Sequence, residues 1–129
     1  MARRLLAKKI PIDCFVSSTA LRARSTAELF MAAYGRKPED MKLIPELYHA
    51  GTDTFEQVVA ALPDPCSHVA LFSHNPGITA FVNTLTGVQV DNMPTCGIFA
   101  LHIHADSWSR FPEAKKEFWF FDYPKALAG

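Results

Sequence analysis

Apolar and polar positions fall along this chain in blocks that predict helices and strands by turns. The opening stretch, Met1 to Ile10, sets Leu5, Leu6 and Ile10 at helical spacing with no Ser, Thr or Asp to cap its start. It reads as the end of an amphipathic helix, stopped by Pro11. Ile12 to Val16 is a short apolar run of the kind that forms a buried strand. Ser17, Ser18 and Thr19 then offer hydroxyls suited to capping a helix from Ala20 to Tyr34. Leu21, Ala27, Phe30 and Tyr34 lie on or near one face of that helix, and Gly35 stands where a left-handed residue ends it. Met41 to Ile44 predicts a second strand, ended by Pro45. Thr52 or Asp53 can cap a helix running to about Leu62, with Phe55, Val58, Val59 and Leu62 inward. Val69 to Phe72 is an uncharged strand followed at once by Ser73-His74-Asn75-Pro76-Gly77 and a helix from Ile78 to about Leu85. Cys96 to Ile103 and Phe118 to Phe121 predict the last two strands.

Strands alternating with helices, several of them apolar on both faces, predict an α/β protein. The expected architecture is a three-layer α/β/α sandwich around a mostly parallel sheet, with the last strand an antiparallel edge. Residues 1–129 are expected to form a single domain, since no repeat, low-complexity segment or linker interrupts them. With 49% hydrophobic and 20% charged residues the chain has enough apolar content for a core, which argues against disorder. No stretch approaches the roughly 20 apolar residues of a membrane span, and no secretory signal pattern is visible.

The formal net charge of zero hides an asymmetry. Residues 1–37 carry eight basic side chains against two acidic ones, a net of +6, and the remainder carries −6. Such a split favours an anionic ligand near the first third. It does not favour nucleic acid, because no basic stripe interleaves with stacking aromatics. Cys14, Cys66 and Cys96 sit at no metal-binding or redox spacing and are expected to be reduced, buried thiols of a cytoplasmic protein. Cys14 starts no phosphatase loop of Cys-x5-Arg form, because Ala20 stands where the arginine belongs. A Walker-type phosphate cradle is also missing. His102 and His104 share a strand face but lack a third ligand, so neither metal nor cofactor is expected.

Two strand-to-helix turns carry the remaining chemistry. In a parallel sheet such turns gather at the carboxyl edge, where ligands bind. Arg22 falls in the first turns of its helix, where the helix dipole disfavours a cation by about 0.3–1 kcal/mol. Either it is a solvated arginine tolerating the position, or an anion sits between it and the helix end. His74 is delivered to the same edge by a hydrophobic strand, and Pro76 stiffens the turn that follows.

Ser18-x-x-x-Arg22-Ala23-x-x-Thr26-Ala27 and His74-Asn75-Pro76-Gly77 resemble two signatures of the histidine phosphatase superfamily, the phosphoglycerate-mutase-like fold. The short SixA-type phosphohistidine phosphatases fit best. Leu47-Tyr48-x-Ala50 and Pro94-Thr95-Cys96-Gly97 resemble further segments of that group. The resemblance implies a phosphatase acting on phosphohistidine carried by a protein, through a covalent phosphohistidine intermediate. It implies that Arg22 clamps phosphoryl oxygens and that His74 donates a hydrogen bond to one of them and balances charge. Ser18, Arg24 and Asn75 are candidates for lining the pocket. Glu46 lies near the position of the glutamate acid of phosphoglycerate mutases and is equally well a surface carboxylate.

The family's nucleophile belongs to an Arg-His-Gly or Arg-His-Ala motif ending its first strand. Here the five histidines follow Tyr48, Ser67, Ser73, Leu101 and Ile103, so no Arg-His pair occurs. By the resemblance, the first strand and nucleophile loop are expected upstream of Met1, and the chain by itself is expected to be inactive. Two alternatives stand beside this: one of a different class, a non-catalytic phosphate- or phosphopeptide-binding module, and one within the same superfamily, a small-molecule phosphatase or mutase.

Overall fold

A computed structural model describes residues 2–94 and 97–123. The expected strand at Cys96 therefore begins, as described, at Ile98, and Thr95, Cys96 and the tail from Pro124 lie outside the described residues. Among the described residues the chain divides into two compact units, residues 2–49 with 65–74 and residues 50–64 with 75–94 and 97–123.

The first unit is built on strands β1 (Cys14–Ser18), β2 (Lys42–Ile44) and β3 (Val69–Phe72), paired in parallel in the order β2-β1-β3. Helices α1 (Ala2–Ala7) and α2 (Leu21–Ala33) precede and follow β1. Ala23, Ala27, Phe30 and Met31 make the buried face of α2, while Phe15 and Val16 fill the sheet beneath. Phe72 ties them together, with its ring 5.3 Å from Phe30 and 6.4 Å from Phe15. Both helices end in the same way, the last carbonyls accepting from a residue five positions on. Gly35 supplies the left-handed conformation after α2 as expected, whereas after α1 it is Lys9 that adopts φ 58°. That turn closes α1 at Ala7, before Pro11 is reached.

β1 runs two residues later than the apolar run suggests. Ser17 and Ser18 are fully buried strand residues in register with Leu43 and Ile44 of β2. Their hydroxyls are satisfied locally, Ser17 Oγ donating to the Ser18 carbonyl at 2.8 Å and Ser18 Oγ accepting from the Ala20 N–H at 3.0 Å. Local satisfaction of this kind lets a polar residue sit in a core.

The cysteine expectation requires correction. Cys14 and Cys66 form a disulfide with Cα atoms 5.8 Å apart. The neighbouring contacts explain the approach. Asp13 accepts from the Ser67 and His68 N–H groups at 3.0 and 2.9 Å, and its own N–H donates to the His68 carbonyl. These bonds lay the segment before β3 alongside the start of β1.

Burial raises the Asp13 carboxyl, but the backbone bonds from His68 and Ser67 and the nearby His68 charge outweigh it, holding the group below the usual carboxylate range. A depressed folded value contributes stability that is present above the unfolded value, near ~3.9, and is lost as pH falls through the folded one. Asp13→Asn is therefore expected to destabilise the protein at neutral pH and to flatten the acid limb of its stability curve. Parallel urea titrations of the two proteins from neutral pH down to about pH 3 check this. Curves of the same shape and height would contradict it.

The second unit holds helices α3 (Thr52–Ala60) and α4 (Gly77–Val82) and the antiparallel ribbon of β4 (Ile98–His104) with β5 (Lys115–Asp122). Its core joins Phe55, stacked on Phe81 at 4.9 Å, to Phe111, 6.2 Å from Phe81. The chain is thus an α/β protein with a parallel sheet, and its last strand pairs antiparallel with β4 in a separate two-stranded sheet instead of edging the parallel one. No helix among the described residues is long and apolar enough to cross a membrane.

Candidate active site

The register of β1 against β3 decides where the two chemically loaded turns emerge. Ser17 pairs with Phe72, so both strands end together and side by side. Neighbouring strands lie about 4.8 Å apart. The chain leaves β1 to begin α2, with Arg22 its second residue, and leaves β3 to reach His74 two positions later. The topology therefore brings the Arg22 and His74 turns to one edge of one sheet.

Around that edge the expected residues have different surroundings. Arg22 is exposed in the first turn of α2. The N-cap of α2 is Ala20, whose methyl side chain can form no cap bond, and the nearby Ser18 hydroxyl is engaged with the Ala20 N–H. No capping side chain thus competes with an incoming anion for the first-turn N–H groups, which carry the positive end of the helix dipole. Ser18 itself is fully buried in its turn-forming role. Arg24 is exposed, but two positions along a helix send it about 160° around the axis from Arg22.

His74 is half-buried, and its Nδ1 is buried with no hydrogen-bond partner among the described residues. Its ring meets that of Tyr48 edge to face, 5.6 Å between centroids at 68°. Tyr48 follows the 3-10 turn Pro45–Leu47, which also carries the exposed Glu46. Asn75 belongs to the second unit, where its Nδ2 donates to the Met93 carbonyl at 2.9 Å and its Oδ1 accepts from the Thr79 hydroxyl. Those bonds hold the turn after His74, in which the Asn75–Pro76 peptide is cis.

On β4, His102 is stacked on Trp119 at 4.4 Å, and His104 Nε2 lies 3.0 Å from Glu117 Oε1. Among the described residues no three His, Cys, Asp or Glu side chains gather in a metal-binding group. Tyr48 is the neighbour that analysis of single residues missed. Its segment is visible in the sequence, but nothing local tells which ring it meets.

No family model matches the chain. An uncharacterized protein of Mycobacterium leprae is 28% identical over 123 residues, covering 88% of this chain and 73% of that one. Three solved structures superpose closely. The Nakamurella multipartitia protein assigned as a phosphohistidine phosphatase SixA aligns at TM-score 0.75 and 26% identity, over 95% of this chain and 77% of that one. Its similarly assigned counterpart from Agrobacterium tumefaciens aligns at 0.73 and 24%, over 95% and 75%. A protein histidine phosphatase SixA complexed with tungstate aligns at 0.73 and 22%, over 98% and 78%. The fold is that of the histidine phosphatases, the phosphoglycerate-mutase-like class. Within that class it is of the SixA type.

Proposed function

We propose that this chain supplies the phosphoryl-binding side of a phosphohistidine phosphatase, with Arg22 and His74 flanking one phosphoryl group. The observation that supports this most is the parallel pairing of β1 with β3, whose common end starts both turns. Phosphoryl transfer asks a protein mainly for positioning and charge stabilisation. Arg22 offers two parallel N–H donors to phosphoryl oxygens beside the dipole end of α2. His74 contributes a ring N–H to another oxygen.

The substrate in this reading is a phosphohistidine side chain presented by another protein. Its leaving group is an imidazole with a pKa near ~6.5, which needs less protonation than an alkoxide does. A general acid at Glu46 is then dispensable. The covalent step requires a histidine nucleophile in an Arg-His-Gly or Arg-His-Ala setting, and no histidine of this sequence has one. The 129-residue chain should therefore bind the phosphoryl group without turning it over.

Calorimetric titration with tungstate and with inorganic phosphate tests the site. Arg22→Ala is expected to weaken binding by about a hundredfold, the loss of two charge-assisted N–H bonds, and His74→Ala by about tenfold, the loss of one ring N–H bond. Unchanged affinity in both variants would end the proposal. So would hydrolysis of a phosphohistidine peptide by the chain itself, abolished by His74→Ala.

A further inference from the structure

We infer that Tyr48 is a positioning residue for His74, holding the imidazole by a ring contact in place of the usual hydrogen bond. This rests on the phosphoryl-site reading above for its functional meaning, though not for its geometry. A functional histidine is ordinarily oriented by a bond from its second ring nitrogen to a carbonyl or carboxylate. Here Nδ1 is buried and meets no such group among the described residues. A proton on Nδ1 would be an orphaned donor, which favours the tautomer with the proton on Nε2, the form that can donate to an oxyanion.

Something else must then fix the plane of the ring, and the Tyr48 contact fits the role. Its 5.6 Å separation and 68° angle lie within the preferred edge-to-face arrangement of aromatic pairs. Tyr48 is 45% exposed, too open for a core-filling residue, yet it is not loose. The Leu47 beside it is 1% exposed in the turn packed on β1, and the Tyr48 N–H donates to the Pro45 carbonyl at 3.0 Å. The His49 ring lies 4.4 Å away at 79°, against the same phenol ring. Tyr48 is thus held by a buried anchor behind it and presents its ring to His74.

The test uses the full chain with Tyr48→Ala and Tyr48→Phe, read by nitrogen-15 spectra of the His74 ring and by tungstate titration. Freed to turn, the His74 ring of Tyr48→Ala brings Nδ1 out of its buried position, so this variant is expected to mix the His74 tautomers and to weaken tungstate about three- to tenfold, the range of one aromatic pair. Tyr48→Phe, which keeps the ring and drops the hydroxyl, should restore both. Unaltered tautomers and affinity in Tyr48→Ala would overturn the inference. A Tyr48→Phe protein as impaired as Tyr48→Ala would overturn it too, by assigning the effect to the hydroxyl. Should the wild-type chain bind no tungstate, the phosphoryl-site reading fails alone, and the ring spectra still decide the role of Tyr48.

Discussion

Cys14→Ser is expected to lower the unfolding free energy of the oxidised protein by about 4 kcal/mol, the chain-entropy value for closing a loop of this size. The bond joins residues 52 positions apart, and the loop it closes contains α2, β2 and α3. For a chain of this length the loss corresponds to a melting temperature lower by roughly 15 °C. The same change should follow from adding reductant to the wild-type protein. The consequence reaches the site, because the bond anchors the segment that leads into β3, the strand that delivers His74. Thermal melts with and without reductant check the expectation, together with thiol counting on the folded protein. Three reactive thiols and an unshifted melt would show that the bond does not form.

Phe55→Ala should cost about 3–5 kcal/mol, the range for deleting a buried aromatic side chain and leaving its cavity. Phe55 has no exposed surface and lies face to face with Phe81 at 4.9 Å. Its ring also bears on the start of α4. A Cβ built on Gly77 would stand 2.9 Å from the Ala50 carbonyl oxygen and 3.3 Å from Phe55 Cε2. Gly77 is glycine because the backbone of Ala50 comes that close, and Phe55 supports the same spot. Urea denaturation of Phe55→Ala and Phe55→Leu measures the effect, with the leucine variant recovering most of the loss. A Phe55→Ala protein within 1 kcal/mol of wild type, on a scale where core deletions cost several, would show that the stack carries little weight.

Much of the fold is legible along the chain. Val69 to Phe72 is a strand at the predicted bounds, because an uncharged apolar tetrad leaves few other choices. The helix ending at Gly35 follows from its spacing and from the left-handed turn, φ 71°, that glycine permits. β5 is different. The aromatic run marks only its second half, and its first three residues are Lys115, Lys116 and Glu117. Lys115 and Glu117 face solvent, while Lys116 donates to the Phe111 and Ala114 carbonyls and sits 4.5 Å over the Phe111 ring. A charged stretch becomes strand there because its partner β4 and a nearby turn satisfy it. Ser17 and Ser18 mislead in the same direction: hydroxyls that suit a cap are equally satisfied inside a sheet when each finds a bond within two residues.

The candidate site divides along the same line. Arg22 after one strand and His74 after another are visible as chemistry, since a cation at a helix start and a histidine behind an apolar strand are local facts. That β1 and β3 are neighbours, that Tyr48 meets His74, and that Cys66 reaches Cys14 are contacts between residues 26 to 55 positions apart. Periodicity, capping and turn chemistry act over a few residues, and so the sequence by itself determined the elements, their order and the reactive groups at their ends. Strand order and register act across the whole chain through the packing of many side chains at once. Only the tertiary structure therefore decided which strand ends stand together, which cysteine is bonded, and which ring meets the histidine.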